Sequence, residues 1–432
     1  MTVVELAKTH IWQRARAVER SRTAGSGTRS YYLLLSITGV LLGFGLVMIL
    51  SASSVSSFTR YGSSFLFFKR QVVWALLGVV SMFVASRIDY RKWRGLGWMM
   101  LLVALGGLVL VLHPAFGTRV GGSSRWLGFG SIRIQPSELA KLALLLVAAD
   151  ICVRKQGKMT TLRELILPLG ILSAMVAALI MLQPDLGTML IIAMIVSVVV
   201  FVCGVPLPLL GTVGVMGIVG SIGLAFAEGY RRARLFSFLN PFRDPLNAGY
   251  QSVQSLIALG SGGFFGVGLG ASRQKWLYVP NAHTDFIFAI LGEELGLIGT
   301  LMVIGLFVGF AYAGIRIARR APDAFGRLVA TGVTVWVVGQ AIVNMGAVTG
   351  LLPITGVPLP LVSFGGSALV ISLTAIGILS NIARQEKWPP PGSPKGKEKA
   401  RPPKRPIRVA TAASGRGGWV ESKRVPTTAK RR

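Results

Sequence analysis

The most informative shortage in this sequence is negative charge. Only 16 of its 432 residues are Asp or Glu, against 46 Lys or Arg, and charged residues of all kinds make up 14% of the chain. Cysteine is also scarce, since Cys152 and Cys203 are the only two, which excludes a disulfide framework or a cysteine-rich metal cluster. With 52% hydrophobic residues and a mean hydropathy of +0.62, the chain has too little polar material to cover a soluble body. These shortages predict an integral membrane protein.

Apolar runs long enough to cross about 30 Å of hydrocarbon as helices recur along the chain. They lie near residues 31–51, 70–87, 95–112, 137–152, 166–182, 187–203, 208–228, 284–312, 326–350 and 364–383. No long alternating pattern competes with them. The sequence therefore predicts an all-α polytopic membrane protein with about ten transmembrane helices.

The distribution of Lys and Arg predicts the orientation, because basic connections stay on the cytoplasmic side. Loop 350–363 contains no basic residue. When the predicted crossings are counted, the longer loops 113–136 and 229–283 fall on the same side of the membrane as this loop. We therefore predict that these loops are extracytoplasmic and that both termini are cytoplasmic. The basic segments on the cytoplasmic side are 1–30, 87–94, 154–163 and 316–327.

The composition divides the chain into three parts. Residues 1–30 form a basic N-terminal segment, 31–385 the multi-span domain, and 386–432 a tail rich in Pro, Lys and Arg. The composition of the tail predicts disorder. Its charge suits anionic lipid headgroups or, as the alternative, an acidic cytoplasmic protein. Nucleic-acid binding is not expected of a tail tied to a membrane with so few aromatic residues.

Three of the few acids stand where one apolar run begins. Asp285, Glu293 and Glu294 fall near the start of the run 284–312. An ionised carboxylate inside a membrane costs roughly 2.5–3.5 kcal/mol on insertion scales, so each acid needs a function or a partner. For Asp285 the alternatives are a helix cap after Thr284 and a catalytic group. Glu293 and Glu294 lie about two turns deeper and are predicted to be mainly structural.

The outer loop before Asp285 is dense in glycine between Gly260 and Gly270, which lets backbone approach a ligand closely. Arg273, Lys275 and Trp276 follow, and this mixture of basic and aromatic side chains suits a headgroup that carries pyrophosphate and sugar. The alternative is a re-entrant or interfacial loop that needs tight turns.

A second group of polar residues surrounds the start of the run 137–152. Pro136 marks a helix start, and Glu138 and Lys141 stand three residues apart, close enough to pair on one helical face. The pair is either a structural ion pair or part of an outward-facing polar cavity. In the second case three further residues line the cavity: Arg125, Arg133 and Gln135.

Two further segments interrupt the apolar pattern. The short turn Gln183–Thr188 contains Asp185, which is either a helix cap or a contact for a ligand or cation. The prolines of Pro353–Ser367 forbid a continuous helix, and broken backbone at that depth must line protein or water rather than lipid.

Together these motifs resemble the SEDS family of shape, elongation, division and sporulation glycosyltransferases, and most closely its division branch. The resemblance covers residues 31–385. It is carried by Gln135–Lys141, Gln183–Thr188, His283–Ala289 followed by Glu293–Gly296, and Gly356–Ser367. It implies that the chain polymerises lipid II into β-1,4 glycan strands and releases undecaprenyl pyrophosphate. An elongation-type polymerase is the alternative within the family.

The resemblance also implies roles for individual residues. The aspartate that the family requires falls on Asp285, which would take the proton of the acceptor 4-hydroxyl, and the family's helix glutamate and lysine fall on Glu138 and Lys141. Phe364 stands where many relatives have Tyr. Basic side chains, with or without a divalent cation such as Mg²⁺ or Mn²⁺, would neutralise the departing pyrophosphate, and no organic cofactor is implied. The substrate-binding candidates are Arg125, Arg133, Gln135, Glu138, Lys141, Asp185, Arg273, Lys275, Trp276, Thr284 and Ser367.

Two other classes of function are compatible with parts of the pattern. A transporter (flippase) of lipid-linked precursor also has about ten helices with broken segments and buried charge. A division scaffold would leave the outward carboxylates and glycines unexplained. Family likeness further implies a class B penicillin-binding protein as transpeptidase partner, division-site proteins as regulators, and a multi-pass location in the inner (plasma) membrane at the septum.

Overall fold

The computed structural model describes residues 3–120, 123–129, 132–155, 162–212, 214, 238, 240–247, 249–276, 278–280 and 282–386. Most of these residues are helical. The helices are α1 Val3–Tyr61, α2 Leu66–Arg87, α3 Trp93–Leu112, α4 Pro136–Arg154, α5 Leu162–Leu165, α6 Ile171–Met181, α7 Leu186–Cys203, α8 Tyr250–Gly262, α9 Ile287–Arg320, α10 Ala324–Val348 and α11 Gly366–Arg384. Short 3₁₀ turns lie at Tyr90–Lys92 and Pro241–Arg243, and a π-helical turn at Ile166–Gly170 leads into α6.

Seven of the described helices are long and apolar enough to cross a membrane, which confirms the polytopic helical fold. They are Arg29–Tyr61, Leu66–Arg87, Tyr90–Leu112, Leu186–Cys203, Ile287–Arg320, Ala324–Val348 and Gly366–Arg384. The predicted run 137–152 is the helix α4, which is long enough at 19 residues but carries buried charge. The run 166–182 is a shorter apolar helix that begins with the π turn.

Other predictions fall largely outside the described residues. Most of the predicted crossing 208–228 and most of the tail 386–432 lie there. The backbone of α1 begins at Val3, so the first predicted span continues from the basic N-terminal segment as one helix. The side of the membrane on which each terminus lies stays a prediction.

Helix α4 lies at the centre of the bundle. Every residue from Pro136 to Cys152 except Leu139 is buried, and α3, α7 and α10 pack around it. The most apolar stretches of α10 and α11 are also largely buried, whereas α2 and α3 expose most of theirs. An apolar surface on the outer helices suits contact with lipid, and a buried α4 explains how a helix with charged residues is tolerated.

The predicted outer loop 113–136 contains a small antiparallel sheet that the sequence pattern does not predict. Its strands are β1 Gly117–Val120, β2 Ser123–Phe129 and β3 Ile132–Ile134, in the order β1-β2-β3. Thr118 pairs with Trp126 and Gly128 with Arg133. The strand β3 ends directly before α4, so the sheet is held over the start of the central helix.

The glycine-rich loop after α8 packs against a kink in α9. Gly296 has φ 64° inside that helix, and a Cβ there would lie 2.4 Å from the Gly266 nitrogen, so only glycine fits. Because the kink interrupts the helical hydrogen bonds, the loop supplies replacements. Val267 N–H donates to Glu293 O at 2.9 Å, and Leu297 N–H donates to Gly263 O at 2.9 Å. The contact lies about 13 Å along the helix from its start, and the re-entrant interpretation of this loop stays a prediction.

Candidate active site

The predicted pair on α4 is present and almost fully buried. Lys141 Nζ lies 2.9 Å from Glu138 Oε1, and the two side chains are 1% and 4% exposed. The ammonium also donates to Gln340 Oε1 at 3.0 Å and lies 5.0 Å from the centre of the Trp336 ring. These contacts offset part of the cost of burying the two charges. Glu138 Oε2 has no hydrogen-bond partner among the described residues.

Asp285 lies in the turn that precedes α9, and its side chain is half-buried. Gly356, which has a positive φ of 72°, lies beside Asp285. A Cβ on Gly356 would lie 3.6 Å from Asp285 Oδ2. The carboxylate therefore faces the broken segment 353–365. Neighbouring residues fix this arrangement: Ser363 Oγ donates to Thr284 O at 2.6 Å, and Phe364 N–H donates to His283 O at 3.0 Å.

Two buried amides on α10 join these parts, and neither is among the predicted site residues. Gln340 Nε2 donates to Pro358 O at 2.9 Å, while Asn344 Nδ2 donates at 2.8 Å to both Val357 O and Asp285 O. A signal was present, because Trp336, Gln340 and Asn344 recur every four residues and so share one face of an apolar helix. Uncharged amides are less conspicuous than carboxylates in a hydrophobic run.

Asp185 is a helix cap and also an ion-pair partner. It accepts from Thr188 N–H at 3.1 Å and Thr188 Oγ1 at 2.9 Å at the start of α7, and Arg125 Nη1 lies 3.5 Å from Asp185 Oδ1. Gln135 N–H donates to Ser367 Oγ at 3.2 Å, which joins the start of α4 to the start of α11. Four of the predicted substrate-binding residues therefore meet near one end of the bundle.

The turn around Asp185 packs directly on the broken segment. A Cβ on Gly187 would lie 2.4 Å from Val357 Cγ2 and 2.5 Å from Thr355 O, so the close approach requires glycine. The motifs that contain Asp185, Gly356 and Asp285 thus form one continuous structure.

The basic residues after the glycine-rich loop are divided between surface and interior. Arg273 and Trp276 are exposed, the latter by 64%. Lys275 is buried, donates to Gly270 O and lies 3.5 Å from Glu294 Oε1. This pairing gives Lys275 a structural partner, and its contact with substrate stays a prediction. Arg133 is exposed on β3.

Both glutamates of α9 hold the loop in place, which agrees with the structural role predicted for them. Glu293 accepts from Ser272 Oγ and from Arg273 N–H at 2.9 Å, and Glu294 accepts from Ser51 Oγ at 2.6 Å in addition to its contact with Lys275. Each carboxylate is buried and has polar partners on other segments.

His283 is enclosed by aromatic rings next to the candidate base. Its ring stacks on Phe67 with centroids 4.9 Å apart and meets the edge of Phe364 at 5.7 Å. Burial, with a smaller contribution from the positive charge of Arg60, lowers the pKa of His283 to about 4. The imidazole is therefore neutral near pH 7, and Phe364 packs here without a hydroxyl that would need a partner.

The described residues contain no group of three or more His, Cys, Asp or Glu side chains arranged to hold a metal ion. Glu138 is paired with Lys141, and Asp185 with Arg125. A divalent cation would need most of its ligands from elsewhere, and phosphate oxygens of a substrate are the usual source for Mg²⁺.

Known sequences match this chain over most of its length. Residues 32–388 match the family of cell cycle proteins that comprises FtsW, RodA and SpoVE. The chain is 43% identical to stage V sporulation protein E of Bacillus subtilis over 357 residues, which cover 82% of this chain and 97% of that protein. It is 42% identical to the "probable peptidoglycan glycosyltransferase FtsW" of Geobacter metallireducens, with coverage of 83% and 96%. For the FtsW of Mycobacterium tuberculosis the identity is 42%, with coverage of 84% and 69%.

Solved structures show the same fold. A chain from a peptidoglycan synthase complex, solved in a study of the structural coordination of polymerisation and crosslinking, superposes with a TM-score of 0.68 at 29% identity. The match covers 82% of this chain and 98% of that one. The rod shape determining protein RodA of Thermus thermophilus gives a TM-score of 0.60 at 28% identity, with coverage of 82% and 96%.

Proposed function

The chain belongs to the FtsW/RodA/SpoVE family of cell cycle proteins, and on that premise we propose that it is a peptidoglycan glycosyltransferase. It polymerises lipid II into β-1,4 glycan strands and releases undecaprenyl pyrophosphate. Relatives named FtsW at about 42% identity support the septal, division-type role over the elongation-type role. The observation that carries the proposal is the carboxylate of Asp285, held against Gly356 at the start of α9.

The reaction is a single inverting displacement. The acceptor 4-hydroxyl attacks the anomeric carbon of the donor sugar, the bond from that carbon to the pyrophosphate oxygen breaks, and the proton of the hydroxyl passes to Asp285. A half-buried carboxylate beside the broken segment suits this task because a general base must reach the hydroxyl within about 2.6–3.2 Å.

The leaving pyrophosphate gains negative charge that the protein must stabilise. Arg273 is exposed, Arg125 is partly engaged with Asp185, and Lys141 is held by Glu138. We assign Arg273 and Arg125 to electrostatic contact with the pyrophosphate, and Lys141 to the inner wall of the cavity. A divalent cation that takes part would arrive with the pyrophosphate and complete its ligand set with one or two carboxylates.

The proposal includes a partner and a location. The structural match to a chain of a peptidoglycan synthase complex supports a class B penicillin-binding protein as the transpeptidase partner. The seven long apolar helices support a multi-pass location in the plasma membrane, with the division septum as the working site. The basic tail would attract anionic lipid or an acidic cytoplasmic protein, and division-site proteins would regulate the assembly.

Polymerisation of lipid II by the purified protein in detergent tests the proposal, with and without a class B penicillin-binding protein. Wild-type protein should form glycan, whereas Asp285→Asn should lose at least about 100-fold in rate. Asp89→Asn is the matched control, because Asp89 is a partly exposed carboxylate that pairs only with nearby Arg91 among the described residues. A flippase would make no glycan under any of these conditions, since detergent leaves no two sides to transport between.

A further inference from the structure

Asn344 occupies an unusual position between the candidate base and the broken segment. Its side chain is 2% exposed, and both hydrogens of its amide are used, one on Asp285 O and the other on Val357 O, each at 2.8 Å. One side chain therefore links two segments that are distant in sequence. Gln340, one turn earlier, accepts from Lys141 and donates to the next carbonyl of the same segment, Pro358 O.

The two carbonyls held by Asn344 belong to backbone outside regular helix. The helix α9 begins at Ile287, and its first capping carbonyl, Phe286 O, accepts from Ile290 N–H. Asp285 O lies one residue earlier, and Val357 O lies in the segment that proline and glycine keep from forming a helix. Buried carbonyls of this kind need donors, and removing the donor costs the full desolvation of each group.

We propose that Asn344 is a positioning residue for Asp285, and this inference rests on the proposed function. Its amide fixes the backbone of Asp285 against Val357, and Gln340 holds Lys141 to the adjacent Pro358. The helix α10 thus sets the spacing between the base on one side and the Glu138–Lys141 pair on the other. Displacing a catalytic base by about 1 Å can lower the reaction rate about 100-fold. Asn344 can therefore affect the rate through the position of Asp285, without contacting the substrate.

The chain offers a matched control for a purely structural role. Asn381 is also a buried amide that bridges two backbone groups, because its Nδ2 donates to Ser86 O at 2.9 Å and its Oδ1 accepts from Tyr90 N–H at 3.0 Å. It does so near the opposite end of the bundle. Asn344→Ala and Asn381→Ala remove the same side chain from similar surroundings, and only the first lies beside the candidate base.

The test compares lipid II polymerisation by the two variants in detergent over a range of pH. Asn344→Ala should lower kcat at least about tenfold, with KM changed by less than about threefold. It should also move the pH of half-maximal kcat by at least about 0.5 unit, because the surroundings of the base change. Asn381→Ala should lower the melting temperature to a similar extent while kcat and the pH profile stay at wild-type values.

Equal kinetic and pH profiles for the two alanine variants would overturn the proposal. If Asn344→Ala does not fold, Asn344→Ser is measured instead, because serine keeps one hydrogen-bond donor. Asn344→Ser should show a smaller loss of kcat, and its pH of half-maximal kcat should shift in the same direction. Asp285→Asn is measured beside them. Wild-type activity of Asp285→Asn would refute the proposed function itself, whereas an inactive Asp285→Asn with identical Asn344 and Asn381 variants would refute only the positioning role.

Discussion

Glu138 and Asp150 are two buried carboxylates on the same helix, about 18 Å apart along its axis. Asp150 has partners on both oxygens, since it pairs with Arg94 and Arg154 and accepts from Trp98 Nε1 at 3.0 Å. Glu138 pairs through one oxygen with Lys141, and its other oxygen has no partner among the described residues. The fully paired carboxylate of Asp150 holds helices together, whereas Glu138 keeps one buried oxygen without a partner among the described residues.

The largest effect expected from this comparison concerns the Glu138–Lys141 pair. Glu138→Gln and Lys141→Met each leave one buried charge without its partner, so each should cost about 3–5 kcal/mol of unfolding free energy. The double variant should recover stability to within about 1 kcal/mol, because it buries no charge. Polymerisation of lipid II should remain at least about 100-fold below wild type in all three. Recovery of activity together with stability in the double variant would show that the pair is structural only.

A pH effect is expected from His283, whose pKa of about 4 lies below the ordinary value of 6.5. Between these two pH values the unfolded chain binds more protons than the folded one, so the unfolding free energy should fall as the pH falls. The loss should be on the order of 2–3 kcal/mol at pH 4. Thermal unfolding in detergent from pH 7 to pH 4 measures it, with His283→Gln beside wild type. Parallel curves for the two proteins would contradict the prediction.

Asp150→Asn should have a smaller effect, and on stability alone. Both arginines that pair with Asp150 can return to solvent, because their side chains are 38% and 63% exposed. We expect a loss of about 1–2 kcal/mol and a kcat within about twofold of wild type. Melting curves and polymerisation rates of the same preparation measure the two quantities. A large fall in kcat without a change in melting temperature would contradict the purely structural role of Asp150.

The smallest effect is expected at Arg125, which donates to Gln183 O and Pro184 O and pairs with Asp185. Because Thr188 still satisfies Asp185, Arg125→Ala should mainly weaken substrate binding and raise the KM for lipid II about three- to tenfold. The control is Arg87→Ala, which removes an exposed arginine in the last turn of α2, outside the candidate site, and should stay within about twofold of wild type. Equal values for the two variants would remove Arg125 from the substrate contacts.

The parts of the site that were predictable from sequence are those with charge in apolar surroundings. Asp285, Glu138, Lys141 and Asp185 stand out because a charge in a membrane segment must be paired or functional. The structure brings these residues to one end of the bundle, as the predicted topology requires. The structural role of Glu293 and Glu294 is predicted from their position about two turns deeper in the helix, but their partners are not.

The parts that were missed depend on contacts between distant segments. Asn344 and Gln340 carry no charge, and their partners are backbone carbonyls that no sequence pattern marks. The pairing of Lys275 with Glu294 depends on the kink at Gly296, which admits the glycine-rich loop. The strands of the outer sheet have three to seven residues, too short for an alternating pattern to stand out.

Chemical rescue of Asp285→Ala tests the central claim most directly. The substitution removes the carboxylate and leaves room beside Gly356, so the variant should polymerise lipid II at no more than about 1% of the wild-type rate in detergent. Added formate should restore part of that rate in Asp285→Ala and none in Asp285→Asn, whose amide still fills the space. Polymerisation by Asp285→Ala at the wild-type rate without formate would show that another group takes the proton.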